Sequence, residues 1–260
     1  MARNEYLELA DWRRRVASIW DTWRAASTSD PVRATAWFRT AKDTLFAEHP
    51  QSPLLPEERG AFAGLAYWPY DPAWRMEVPF EAETADGRGP HGDDSGSGAA
   101  SLGSAAHLGG AAPLGGAAPL GGVAPLGGLG GGLLDLPSSG LGGIPFRRIG
   151  VARLGGPLDG LALPVYWIDA YGGGLFLPIR DATAGKQTYG AGRYLLDTIK
   201  SADHGGDFRT GMILLDFNLA YHPSCAYDPR WSCPLAPPQN RLTVDVPVGE
   251  RLLSGATPHA

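Results

Sequence analysis

Along the first fifty residues hydrophobic and polar positions alternate with a helical period. Trp12, Val16, Ile19, Trp20 and Trp23 recur at steps of three and four, which puts them on one face of a helix from Asn4 to about Ser27. Asp11, Arg14, Arg15 and Asp21 fall mostly elsewhere around it. A second helix is predicted from Asp30-Pro31, where the aspartate caps the first free amides and proline suits the first turn. Its apolar stripe is Ala34, Trp37, Phe38, Ala41, Leu45 and Phe46. Two such helices joined by a short turn form a hairpin with an apolar face to bury, here as a lid over a sheet.

From Gly64 the pattern changes to aromatic and branched residues punctuated by proline and glycine. GLAYWPYDPAWRMEVPFEAE (64–83) reads as strand, turn and strand. Six further candidate strands follow residue 143: IPFRRIGVARL, LALPVYWIDA, GGLFLPIRDA, QTYGAGRYLLD, GMILLDFNLA and NRLTVDVPVG. Short strands separated by turn residues predict a mainly β fold: an antiparallel β barrel or curved sandwich of about eight strands, with the N-terminal helical hairpin against it.

The tract between these blocks has no such pattern. Residues 81–145 contain none of the chain's 25 aromatics, and three tandem hexads (AAPLGG, AAPLGG, VAPLGG) fill 111–128. A six-residue period also occurs in coils of short parallel strands. One leucine per hexad, however, does not offset an ordering cost of about 1–2 kcal/mol per residue. The expectation is therefore one domain. Residues 1–84 supply the hairpin and first strands, 85–143 form a disordered Gly/Ala/Pro/Leu-rich insert, and 144–252 supply the remaining strands.

Charge narrows the partners. The 81–145 tract carries a net charge of −5, which equals that of the whole chain, so the remainder is near neutral. Without a basic stripe the chain lacks the main electrostatic term for nucleic-acid binding and an anchor for anionic lipid. MARNEYLELADWRRR has no apolar core of signal-peptide length, and no later window has about 18 uninterrupted apolar residues. A cytoplasmic location is expected, and two cysteines are too few for a secreted disulfide scaffold.

Several runs are long and ordered enough to compare with known proteins. GLAYWPYDPAWR (64–75), GLFLPIRDATAGKQTYGAGRYL (174–195), LDFNLAYHPSCAY (215–227) and CPLAPPQNRLTVDVPVGE (233–250) resemble the bacterial and archaeal domain-of-unknown-function 1684 (DUF1684) family, over about Arg39 to Glu250. No activity comes with the resemblance. The chain departs from the family pattern in its long insert and at His222, where the family more often carries Asn.

The residues themselves offer three places for chemistry. The first is a polar set of Asp181, Lys186, Tyr189, Arg193, Asp216 and Asn218. Strict alternation in MILLDFNLA puts Asp216 and Asn218 opposite an apolar face, so they look into a barrel lumen or out to water. There, with Tyr189 and the forked guanidinium of Arg193, they suit a small carboxylate or phosphate. An ordinary buried ion pair with solvated strand faces is the structural alternative. Second, the glycine turns at Tyr171–Gly174 and Tyr189–Arg193 resemble phosphate cradles, but they lead into strand rather than helix and suit bulges or barrel corners. Third, His222, Cys225 and Cys233 have metal-ligand chemistry but not zinc-knuckle spacing; a loop disulfide or two buried thiols are the alternatives, the thiols favoured in a reducing cytosol, and no metal is assigned. His49 and His204 are expected to be surface or capping residues, and no GxSxG elbow exists.

The leading expectation is a protein that binds a small, anionic molecule in a polar pocket of the barrel. One alternative is an enzyme in which Asp216 or Asp181 transfers a proton while Arg193 orients an anionic substrate. The other is a structural module that uses the hairpin. No cofactor or protein partner follows from the sequence.

Overall fold

The computed structural model describes residues 4–83, 133–136, 138–139 and 144–252. Helix α1 spans Glu5–Ser27, with the Asn4 side chain accepting the Leu7 amide at its start. Helix α2 spans Pro31–Glu48, capped by Asp30, whose carboxylate accepts the Arg33 amide at 2.9 Å. The expected stripes pack together: Trp20, Trp23, Ala34 and Phe38 are buried against Leu219 and Ala202 of the β layer. Trp37 is the exception, 43 % exposed on the outer face of α2. His49 is the capping residue expected, at the C-terminus of α2, whereas His204 is neither on the surface nor a cap. His204 is buried between the rings of Trp20 and Trp23, and His49 is buried against Trp12.

Nine strands are present among the described residues: β1 Ala66–Tyr67, β2 Arg75–Ala82, β3 Leu133–Leu136, β4 Ile144–Arg153, β5 Ala162–Ile168, β6 Gly174–Ile179, β7 Arg193–Asp197, β8 Met212–Asp216 and β9 Glu250–Arg251. All strand pairs are antiparallel, and the large sheet has the order β7-β6-β5-β4-β2-β8, with β3 added alongside the start of β4. Strand β2 pairs with β8 through its first half (Arg75↔Asp216 to Pro79↔Met212) and with β4 through its second half (Phe80↔Ala152 to Ala82↔Gly150). The sheet therefore curls strongly. Its two edge strands approach each other where Tyr221, beyond β8, exchanges both backbone hydrogen bonds with Tyr194 of β7, at 2.8 and 3.1 Å. The result is a barrel-like half-barrel. Strands β1 and β9 form a separate two-stranded sheet.

Three expectations change. The insert was placed at 85–143, but Leu133–Leu136 inside it is a strand paired with β4; residues 84–132 lie outside the described residues. The run GMILLDFNLA is strand only to Asp216, after which Phe217–Leu219 forms a 3-10 turn. NRLTVDVPVG is irregular apart from one bridge, Arg180↔Arg241. Prolines 237, 238 and 247 remove ladder donors there, and the side chain of Asn240 holds the segment down instead. Its amide donates to the carbonyls of Pro164 and Pro178, both at 2.9 Å, and its oxygen accepts the Tyr166 hydroxyl at 3.1 Å.

Apolar side chains occupy the middle of the curled sheet, where a lumen was expected. Val78, Ala152, Leu163, Val165, Leu177, Ile179, Leu195, Ile213 and Leu215 come from six strands and meet Trp74, Phe217, Val246 and Val248 from the loops. Close packing of this kind leaves the polar residues to be accommodated elsewhere.

Candidate functional site

The six expected pocket residues separate into different places. Arg193 and Asp181 form an ion pair at 3.0 Å with both side chains fully buried. The same guanidinium donates to the carbonyls of Val246 (2.8 Å), Glu250 (3.2 Å) and Val248, and it lies over the Trp68 ring. Asp181 accepts the Val246 amide at 2.9 Å and the Thr183 hydroxyl at 2.6 Å. Burial works against the charge on Arg193, and the charge and hydrogen bond of Asp181, with the charge of Glu250, oppose that effect. The fork expected to meet a ligand thus ties the 246–250 segment to the sheet and has no face turned to an incoming molecule.

Asp216 and Asn218 belong to a second buried network. Asp216 accepts Arg75 at 3.1 Å, the Tyr70 hydroxyl at 3.2 Å and both nitrogens of Asn218 at about 3 Å. Asn218 in turn exchanges hydrogen bonds with the backbone of Asp71 at 2.8 and 2.9 Å. Arg75 also donates to Ser27 at the end of α1, so the network joins the hairpin to the 70–75 turn. Burial, with the Asp216 charge adding to it, pushes the Tyr70 hydroxyl far up. Lys186 is exposed on the 183–188 turn, and Tyr189 is buried against Cys225 and Cys233.

A cavity does exist, outside the sheet. It measures about 340 Å³ and lies between the hairpin and the 199–201 and 221–233 segments. Trp12, Val16, Ile19 and Trp20 line it from α1, Phe38, Leu45 and Phe46 from α2, and Tyr221, Tyr227 and Trp231 from the opposite side. Its charged lining residues are Arg13, Lys42 and Lys200, and among the described residues no aspartate or glutamate lines it. Two of the chain's three lysines are therefore at this cavity. The indole nitrogen of Trp231 is buried without a hydrogen-bond partner.

Glu250 lies behind the cavity wall, joined to the lining residues Lys42, His222 and Tyr227. Its carboxylate is 1 % exposed; it lies 2.7 Å from the Lys42 ammonium, 3.2 Å from Nδ1 of His222, and accepts the Tyr227 hydroxyl. Burial opposes ionisation of Glu250, but the Lys42 charge and the hydrogen bonds from His222 and Lys42 outweigh it and hold the carboxyl at about 2. His222 is fixed from both sides. Its Nε2 accepts the Tyr189 amide at 3.2 Å, which places a proton on Nδ1, facing Glu250. Both ring nitrogens are thereby occupied by the protein itself. Gly249 makes the placement of Glu250 feasible: its φ is +80°, and a Cβ there would lie 2.7 Å from the carbonyl of Ala220.

His222, Cys225 and Cys233 do come close to Tyr189, but among the described residues no group of three or more His, Cys, Asp or Glu side chains is placed to hold a metal ion. Lys42, Tyr227 and Glu250 were missed because each comes from a different element. The sequence does hold partial signals: Tyr227 and Glu250 close two of the runs quoted above, and lysine is rare in this chain. No helix among the described residues is long and apolar enough to cross a membrane.

Comparison with known proteins agrees with the motifs. A family profile described as "Protein of unknown function (DUF1684)" matches residues 141–251, which contain three of the four quoted runs; the 64–75 run lies outside it. Among solved structures, the chain is similar to the solution NMR structure of an uncharacterised protein of Haloarcula marismortui. The two are 30 % identical with a TM-score of 0.48, over 87 % of this chain and 97 % of the other. No curated protein matches. With the motif runs of its C-terminal half inside the profile match, the chain belongs to the DUF1684 family.

Proposed function

We propose that this protein binds a small, mainly apolar molecule bearing one anionic group in the cavity beneath the helical hairpin. The observation that carries the reading is the charge of the lining: aromatic and aliphatic walls with Arg13, Lys42 and Lys200 and, among the described residues, no acidic side chain, the carboxylates that pair with Lys42 (Glu250) and Lys200 (Asp197) lying outside the lining. A volume of about 340 Å³ is at the small end of the range for ligand pockets, about 300–1,000 Å³. Carboxylate recognition fits better here than acid–base chemistry, because His222 is held on both nitrogens and Glu250 stays ionised between Lys42 and His222. The two free cysteines suit a reducing compartment, and we place the protein's work in the cytoplasm.

Decanoate and decanol, matched in chain length and differing in charge, test this by tryptophan fluorescence titration. Decanoate should bind saturably and about tenfold more tightly than decanol, as one charge-assisted hydrogen bond requires. Val16→Phe, which fills the cavity from α1, should abolish the signal for both. Equal affinity for the two probes, or binding unchanged in Val16→Phe, would remove the reading.

A further inference from the structure

Cys225 and Cys233 are eight residues apart, yet the fold brings them into contact beside the cavity. Cys225 sits in the 3-10 turn Ser224–Ala226, and its amide donates to the Cys233 sulfur at 3.4 Å. Both cysteines belong to one buried cluster with Tyr189. Cys233 is braced from the other side. Its amide donates to the Ser139 hydroxyl at 2.9 Å, and its carbonyl accepts the Ser139 amide at 2.9 Å. Both cysteines are only 3 % exposed; Cys233 forms part of the cavity wall and Cys225 packs against it, so a molecule in the cavity reaches Cys225 past Cys233.

We propose that Cys225 and Cys233 are a modification site: a dithiol that a small hydroperoxide, entering through the cavity, oxidises to an intramolecular disulfide. The Cys225 amide on the Cys233 sulfur, inside one buried cluster, brings the two side chains within reach of a bond that closes without moving the backbone far. Access selects the oxidant, because a bulky disulfide cannot approach either buried sulfur in line, whereas a peroxide is little larger than water. Electrostatics favours a reactive sulfur as well. The hydrogen bond from Cys233 holds the Cys225 thiol down at about 6 against the effect of burial, while that contact and burial raise Cys233. The pair therefore loses one proton readily and keeps the other.

The chemistry balances with hydrogen peroxide as the only co-reactant. The Cys225 thiolate attacks one peroxide oxygen, the O–O bond breaks, and the other oxygen leaves as hydroxide and is protonated to water. The resulting sulfenic acid is attacked by the Cys233 sulfur, the S–O bond breaks, and the hydroxyl leaves as a second water with the Cys233 proton. Two thiols lose two electrons, and one peroxide gains them.

Arg230 lies between the two cysteines, so trypsin separates them into peptides 210–230 and 231–241 unless a disulfide joins them. Full-length protein purified under reducing conditions is treated with one equivalent of hydrogen peroxide, alkylated, and digested without reductant. The expected product is the joined peptide pair from monomeric protein, with loss of both alkylatable thiols. Separate peptides carrying alkylated cysteine, separate peptides carrying sulfinic or sulfonic cysteine, or a link between two chains on a non-reducing gel would each overturn the proposal.

Discussion

The ammonium of Lys42, on the second helix, lies 2.7 Å from the carboxylate of Glu250, at the start of the last strand, with both side chains largely buried. The pair joins positions 208 residues apart and fixes the hairpin over the cavity. Its surroundings make the two partners unequal. Glu250 keeps His222 and Tyr227 when Lys42 is removed, but it loses the charge that offsets its burial.

Lys42→Met should therefore destabilise the protein by about 3–5 kcal/mol, the usual cost of leaving one member of a buried pair uncompensated. Glu250→Gln keeps an acceptor and removes the charge, and should cost less. Urea unfolding midpoints of the two variants check the order; a smaller loss for Lys42→Met would contradict the assignment.

Acid should unfold the protein in two stages. Burial, then the charges of Arg75 and Arg24, lower His204 from 6.5 to about 3, so the folded state keeps the imidazole neutral where the unfolded chain would protonate it. That contribution is complete above pH 6.5 and is lost as pH falls from 6.5 towards 3. Glu250, lowered from 4.5 to about 2, gives stability present above 4.5 and lost as pH falls from 4.5 towards 2. His204→Asn keeps an acceptor for the Asp216 amide that Nδ1 now accepts at 3.0 Å, and should flatten the pH dependence between 6.5 and 4.5 while leaving the lower stage. Stability measured in urea at a series of pH values gives both slopes.

Asn240→Ala should cost about 3 kcal/mol or more. It strands the carbonyls of Pro164 and Pro178 and the Tyr166 hydroxyl in a region closed to solvent. Increased proteolysis within 236–250 relative to wild type, at matched temperature, would locate the effect in that segment.

Gly249→Ala forces a Cβ to within 2.8 Å of two carbonyls, those of Phe217 and Ala220, at a φ of +80°. It should lower the unfolding midpoint and weaken decanoate binding together, since the same residue sets the direction of Glu250. Loss of stability with unchanged binding would separate Gly249 from the cavity.

The helices were legible because their evidence is local: Asn4 and Asp30 cap them, and the Trp12-to-Trp23 stripe has the right period. Most strands were legible for the same reason. The NRLTVDVPVG run is not a strand because Pro247 within it, Pro237 and Pro238 just before it and the multiply bonded Asn240 replace a ladder, which alternation alone does not reveal. Asp216 and Asn218 were placed in a lumen on the assumption that strand alternation continued past Asp216, where a 3-10 turn begins instead. The cavity was not legible at all. Lys42, Lys200, Tyr227 and Glu250 converge only once the hairpin closes over the sheet, and no spacing in the sequence records that convergence.

The eight tryptophans make the central claim directly observable, since three of them, Trp12, Trp20 and Trp231, line the cavity. Trp74, by contrast, is packed into the core of the sheet. The measurement is a two-dimensional NMR spectrum of the indole N–H groups during titration with decanoate. The account predicts saturable shifts of Trp12, Trp20 and Trp231 with Trp74 and Trp167 unmoved. An unchanged spectrum at high decanoate, or shifts spread evenly over all eight indoles, would contradict it.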